Sequence, residues 1–189
     1  MNSPKQAPKS LPKREVDRLV RQAERAGGKR DPAVLEVLRH TGVRVGELCA
    51  LRLGDVVIGE RKGTLTVRSG KGGKYRRVPL NADARRALTA YLAVRPAAAD
   101  DRLFRGTGGR PLGPQGVADL VAKHARRAGL EDVTPHTLRH TFARRLLDEG
   151  ASLVDVAALL GHEKLETTAV YTQPHPRDLE RAVERLAAG

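Results

Sequence analysis

Tryptophan is absent from these 189 residues, and only three tyrosines and two phenylalanines are present. The core must therefore be mainly Leu, Val and Ala, which suits packed helices. The aromatic platforms that often hold single-stranded nucleic acid are also missing. Cys49 is the one cysteine, which excludes an intrachain disulfide and a zinc ribbon. Its setting, GELCALRL, reads as a small buried apolar position rather than a nucleophile. No apolar run approaches the length of a membrane span, and the N-terminus lacks the apolar segment of a secretory signal. A cytoplasmic protein is the expectation.

Acidic residues are few beside the bases: 22 Asp and Glu against 35 Lys and Arg, a net charge of +13 and a pI of about 10.7. An excess of this size favours a polyanionic partner. Its distribution is uneven. The opening MNSPKQAPKSLPKR has four basic residues, three prolines and no acid, and RSGKGGKYRR over 68–77 has five basic residues and no acid. From Glu163 onward the balance is −1. The upstream part reads as a DNA-facing surface and the tail as built for protein contact. An apolar fraction of 40% is ordinary for a globular chain, and the length suits one domain with a real core.

Periodicity predicts a mostly helical chain with a small sheet inserted early. A flexible basic arm over 1–11 precedes a helix from Arg14 to about Ala26, with Val16, Leu19, Val20 and Ala23 on one face. Asp31 is a plausible cap for a second helix with Pro32 in its first turn, running to Thr41 and stopping at Gly42. A short helix carries RVGELCAL. DVVIG, TLTVRS and YRRVPL predict three antiparallel strands, turned at Gly59–Gly63 and Gly70–Gly73. Asn81 caps a helix to about Val94. A Pro/Ala/Asp linker and RGTGGRPLGP lead to a helix over about 115–128. Helices at 136–149, 152–160, 165–172 and 176–187 follow. The glycine clusters GKGGK and GTGGRP complete neither a nucleotide-phosphate loop nor a dinucleotide fingerprint.

The stretch TPHTLRHTF places His136, Arg139 and His140 on one stripe of a helix, with Leu138, Phe142 and Leu146 on another. Three readings are open for the first stripe. His-x3-His is compatible with zinc, although Thr137 stands where the hydrolase form has its glutamate, and Arg139 would set a fixed positive charge beside the cation. A capped helix start with one hydrogen-bonded core histidine is the bland alternative. An anion clamp is the third. Arg44, just past the Gly42 stop, has Glu47 one turn on to orient it, or the two are an ordinary surface ion pair. Lys71 sits between glycines at a hairpin tip, where it can enter a site or simply be solvated. His162 stands nine residues before Tyr171, itself readable as a helix-end aromatic on the core.

Taken together, TGVRVGELCALRLGDV, GKGGKYRRVPL, HTLRHTFARRLLDEGASLVDVAALLGH and TTAVYTQ resemble the catalytic domain of the tyrosine recombinases, the phage-integrase family. The likeness spans about Leu11 to Leu186, in order and in approximate spacing. The resemblance implies an α+β fold, mainly helical with a three-stranded antiparallel sheet, over residues 12–189. It implies catalytic roles for Arg44, Lys71, His136, Arg139, His162 and Tyr171, with Glu47 and His140 supporting them and no metal or other cofactor. Arg44 and Arg139 would clamp the scissile phosphate, His162 would add a third contact, and Tyr171 would be the nucleophile. A phenol is mostly protonated at neutral pH, so His136 is the candidate to take or relay its proton and Lys71 to protonate the leaving 5′ oxygen.

The implied product is a 3′-phosphotyrosyl link that a 5′ hydroxyl of another strand can reverse, without ATP. The implied partner is double-stranded DNA, met by a nucleoid-associated tetramer on two DNA sites, with accessory or directionality proteins as further partners. The helix at 176–187 would be exchanged between protomers. Lys74, Arg76, Arg77, Lys123, Arg126 and Arg127 are expected at DNA phosphates. Most members carry a helical DNA-binding domain ahead of the catalytic one, whereas about 11 residues precede the first helix here; a single-domain recombinase and a piece of a longer protein both fit. The rivals are topoisomerase IB-like nicking and closing, a non-catalytic DNA-binding protein of the same fold, and a metal-dependent nuclease.

Overall fold

The computed structural model describes residues 9–68 and 75–162, together with Thr168. Among them are α1 Lys13–Arg25, α2 Arg30–Thr41 and α3 Val45–Ala50, then strands β1 Val56–Ile58, β2 Gly63–Arg68 and β3 Tyr75–Pro79. Helices α4 Ala82–Leu92, α5 Pro114–Arg127, α6 Pro135–Asp148 and α7 Leu153–Leu160 follow. The α+β architecture is as the sequence leads one to expect. The helices expected at 165–172 and 176–187 and the turn at 70–73 lie outside the described residues.

Helix α2 is the axis of the molecule. Its run PAVLEVL is buried from Pro32 to Leu38 on every side, and a helix apolar all round is stable only when surrounded. It packs against α1, α4, α5 and α6. Helix α1 contributes the stripe Val16, Leu19, Val20 and Ala23. The sheet runs β1-β2-β3, antiparallel throughout, with Leu65 opposite Val78 and Val67 opposite Arg76. Strand β2 alternates strictly, burying Gly63, Leu65 and Val67, the period expected of a strand with one covered face. Asn81 caps α4 as expected, its Oδ1 accepting the Ala84 amide at 3.0 Å. A second, smaller cluster of Phe142, Ala143, Val156 and Leu160 joins α7 to α6.

Three details depart from expectation. Helix α2 begins two residues early, at Arg30 with Lys29 as its cap, so Asp31 lies inside the first turn. Its carboxylate points inward, accepting His124 Nε2 at 2.8 Å, Lys123 Nζ at 2.9 Å and Arg30 Nη2 at 2.7 Å. The end of the expected arm is docked: the Leu11 amide donates to Thr141 Oγ1 at 2.9 Å and its side chain is buried. The linker after α4 is stitched down. Leu103 and Phe104 are buried, and Arg105, 2% exposed, pairs with Asp100. Among the described residues no helix is long and apolar enough to cross a membrane.

A candidate phosphate site between two helix ends

The last carbonyls of a helix have no partner within it and carry the negative end of its dipole. Helices α2 and α7 both end at a left-handed glycine, Gly42 with φ 62° and Gly161 with φ 67°. Beyond the first stop comes Arg44, and beyond the second His162. Gly42 is required on two grounds: besides its φ, a Cβ there would stand 2.3 Å from Phe142 Cδ1 and 2.8 Å from Leu160 Cδ2.

Arg139 of α6 ties the two ends together. Its Nη1 donates to the Gly42 carbonyl and its Nη2 to the Leu160 carbonyl, the latter at 2.9 Å. The same Nη2 lies 2.9 Å from His162 Nε2. A guanidinium only donates, so His162 accepts at Nε2 and carries its proton on Nδ1, which donates to Thr168 Oγ1 at 2.8 Å. Arg139 is 3% exposed. Burial and the charges of Arg139, Arg44 and Arg76 push His162 down to about 4, against the pull of Glu47. Burial and the neighbouring His136, Arg139 and His162 likewise push His140 down to about 4. His136 and His140 meet edge to face, Nε2 to Nε2 at 2.5 Å, so one ring donates and the other accepts.

Thr134 starts α6 as a reciprocal cap with Thr137: its hydroxyl accepts the Thr137 amide at 3.1 Å, and Thr137 Oγ1 accepts its amide at 3.2 Å. That cap aims His136, in the first turn, along the same face as Arg139 and His140. The capped helix start and the charged stripe are thus both present. Among the described residues no group of three or more His, Cys, Asp or Glu is placed to hold a metal.

Arg44 is the N-cap residue of α3, its side chain 48% exposed. Glu47 accepts its amide at 2.8 Å and its Nη1 at 3.2 Å, so the acid holds both the helix start and the arginine it launches. The structure thus brings Arg44, Glu47, His136, Arg139, His140 and His162 into one neighbourhood. Lys71, Lys74 and Tyr171 lie outside the described residues.

The residues expected at DNA phosphates divide. Arg77, Arg126 and Arg127 are exposed. Lys123 is 41% exposed but its ammonium is paired with Asp31. Arg76 is placed differently from these: it is 14% exposed and forks onto Glu47, Nη1 to Oε1 at 2.9 Å and Nη2 to Oε2 at 2.8 Å. Its Nε donates to the Leu159 carbonyl at 2.8 Å. The signal was present in YRRVPL. Period two puts Arg76 on the face of buried Val78 and Leu80, and Tyr75 and Arg77 on the wet face. Thr168 was also missed; as a buried threonine close in sequence to Tyr171 it carries no pattern that names His162 as its partner.

Residues 9–177 match the family model described as the phage integrase family. The chain is 38% identical over 187 residues to tyrosine recombinase XerA of Pyrococcus furiosus, covering 96% of this chain and 63% of that protein. It is 41% identical over 165 residues to tyrosine recombinase XerC of Thermodesulfovibrio yellowstonii, covering 82% and 53%. The chain therefore spans about half to two thirds of the length of these relatives. Among solved structures, the crystal structure of XerA recombinase superposes with a TM-score of 0.85 at 34% identity, over 98% of this chain and 66% of that one. A post-cleavage complex of XerH site-specific recombinase with its palindromic difH substrate superposes with a TM-score of 0.82 at 27% identity, over 94% and 53%.

Proposed function

The chain belongs to the phage integrase family, and on that premise we propose that it is a site-specific DNA recombinase acting through Tyr171. The observation that carries the reading is the Arg139 arrangement. A buried guanidinium, tied to the last carbonyls of two helix ends, sits beside His162 and the Arg44 turn. Attack on a phosphodiester puts extra negative charge on the non-bridging oxygens. Preorganised, desolvated donors stabilise that charge far better than water does.

In the proposed reaction the Tyr171 hydroxyl attacks the scissile phosphorus, forming a 3′-phosphotyrosyl bond and expelling a 5′ oxygen. His136 receives or relays the phenolic proton, with His140 sharing it across their Nε2–Nε2 contact. Lys71 supplies a proton to the leaving oxygen. Arg44 and Arg139 hold the non-bridging oxygens. His162, neutral at physiological pH and accepting from Arg139, must release Nε2 or take up a proton before it can donate to phosphate; an incoming dianionic transition state favours both. The 5′ hydroxyl of a second duplex reverses the step. A tetramer on two DNA sites, linked by exchange of residues 176–187 and acting at the nucleoid, is the proposed assembly.

The test is covalent trapping. Nicked chromosomal DNA from the protein's own host is incubated with the protein in chelator, the mixture is denatured, and protein still attached to DNA is scored beside Tyr171→Phe. An adduct formed only by the unmutated protein is the expected result. Loss of the adduct on chelation would point to a metal-dependent nuclease, and DNA binding without any adduct to a binding protein. Products that are relaxed but never joined to a new partner would place the chain with the nicking-closing enzymes.

A further inference from the structure

The phosphate clamp needs Arg44 and His162 at one separation, yet they come from the ends of different helices, and β3 passes beside both. Arg76 of β3 touches both junctions. Its fork grips Glu47, whose Oε2 accepts the Arg44 amide and whose Oε1 accepts Arg44 Nη1. Its Nε holds the Leu159 carbonyl in the last turn of α7. The chain leaving α7 lies flat against the same guanidinium: a Cβ on Gly161 would stand 2.6 Å from Arg76 Nη1 and 3.0 Å from its Cζ. Glu47 stays ionised in this setting: burial raises its pKa, but the hydrogen bonds from Arg76 and the Arg44 backbone outweigh that and lower it.

We infer that Arg76 is a positioning residue for the strand-transfer reaction, a clasp that sets Arg44 and His162 at a common phosphate, and not a DNA contact. The inference rests on the recombinase reading for its consequence but not for its geometry. Two arginines then bridge the same pair of junctions from different elements, Arg139 through the Gly42 and Leu160 carbonyls and Arg76 through Glu47 and the Leu159 carbonyl. Only Arg139 is also assigned, in the recombinase reading, to the phosphate itself. The geometry requires a planar fork with a third donor alongside it, which arginine has and lysine lacks. Lysine keeps the charge but cannot span two carboxylate oxygens and a carbonyl at once.

The test uses Arg76→Lys, Glu47→Gln and the double variant in the full chain, with three readouts. Hydrogen exchange by mass spectrometry follows peptides over 44–47 and 159–162. In Arg76→Lys both peptides are expected to exchange faster together, about tenfold, with α1 and α2 unchanged. Affinity for a short random-sequence duplex, and its salt dependence, are expected to hold. The rate of adduct formation at saturating nicked host DNA is expected to fall by about tenfold to a hundredfold, as for misplacement by about an ångström. The double variant is expected to be no slower than the slower single one, since both break one clasp.

Unchanged exchange at either junction overturns the inference. So does a salt slope lower by about 0.9, the mark of a lost phosphate contact. If Arg76→Lys fails to melt cooperatively, Glu47→Gln carries the same three readouts. If even the unmutated chain forms no adduct, the recombinase reading fails, and the exchange data still decide whether the clasp exists.

Discussion

Two buried clusters in this molecule use nearly the same side chains to opposite ends. Around Asp31, a lysine, an arginine and a fully buried histidine converge on one carboxylate. Burial raises that carboxyl, but the hydrogen bonds from His124, Lys123 and Arg30 outweigh it and hold the pKa down to about 2. One carboxylate gathers all three groups, and the result fastens the start of α2 to α5. Around Arg139, the guanidinium meets carbonyls and a neutral histidine, and two imidazoles are pushed down to about 4 by their surroundings. The first cluster is complete as it stands. The second ties two helix ends together through a guanidinium with Arg44 beside them, the arrangement we propose to meet a phosphate. Residue type alone does not separate the two clusters; what each guanidinium and imidazole is tied to does.

The sharpest way to break this contrast is to change each centre in turn. Arg139→Lys keeps a cation but cannot reach the Gly42 carbonyl, the Leu160 carbonyl and His162 together. Adduct formation should fall on the order of 10³-fold, the scale of a misplaced phosphoryl-transfer arginine, with random-duplex affinity little changed. A single-turnover loss below tenfold would remove Arg139 from the clamp. Asp31→Asn should behave inversely. Weakening the hydrogen bonds from buried His124 and from the partly exposed Lys123 and Arg30 is expected to destabilise by about 2 kcal/mol, lowering Tm by about 4–8 °C for a chain of this size. The adduct rate per folded molecule should stay the same. A thermal melt beside the trapping assay reads both.

Acid should sharpen the contrast further. A histidine whose folded pKa is depressed binds fewer protons folded than unfolded, so its contribution is full above the unfolded value and is lost as pH falls toward the folded one. For His140 and His162 that window runs from 6.5 down to about 4. Asp31, also depressed, holds its contribution down to the unfolded value of 3.8 and loses it toward about 2. The candidate phosphate site should therefore fail first, by about 2 kcal/mol per histidine at pH 5. Denaturant midpoints at pH 7 and pH 5 test this: His162→Asn should flatten the slope, and Asp31→Asn should leave it unchanged.

Much of this was legible before any coordinates. The helix ending at Thr41, the TLTVRS strand, and Gly42 as a helix stop with Arg44 beyond it are all readable from the sequence. What periodicity reports is a face, and a face has no partner until the chain is folded. Asp31 looked like a cap because Pro32 follows it; the inward turn depends on His124 and Lys123, distant in sequence and brought near only by packing. Arg76 shares a face with Val78, but a basic run by itself does not separate a phosphate contact from an inward ion pair. Its partner Glu47 had already been assigned to Arg44, and nothing local says that one carboxylate serves both.

The smallest expected effects belong to the exposed cations, and they test the same distinction at the surface. Arg126 and Arg127 close α5, and their side chains are exposed. Lys123, on the same helix, is held by Asp31. If matched charge is structural and unmatched charge is for DNA, then Arg126→Ala and Arg127→Ala should each reduce the slope of log affinity against log salt by up to about 0.9. Lys123→Ala should change the slope less while lowering Tm. The two arginines are expected to leave Tm nearly unchanged, within about 0.5 kcal/mol of stability. Titration of a fluorescent random-sequence duplex at several salt concentrations measures the slopes. Equal slopes for all three variants would mean that Asp31 releases Lys123 when DNA arrives, and the boundary between the two clusters would then have to be drawn at Arg30 and His124.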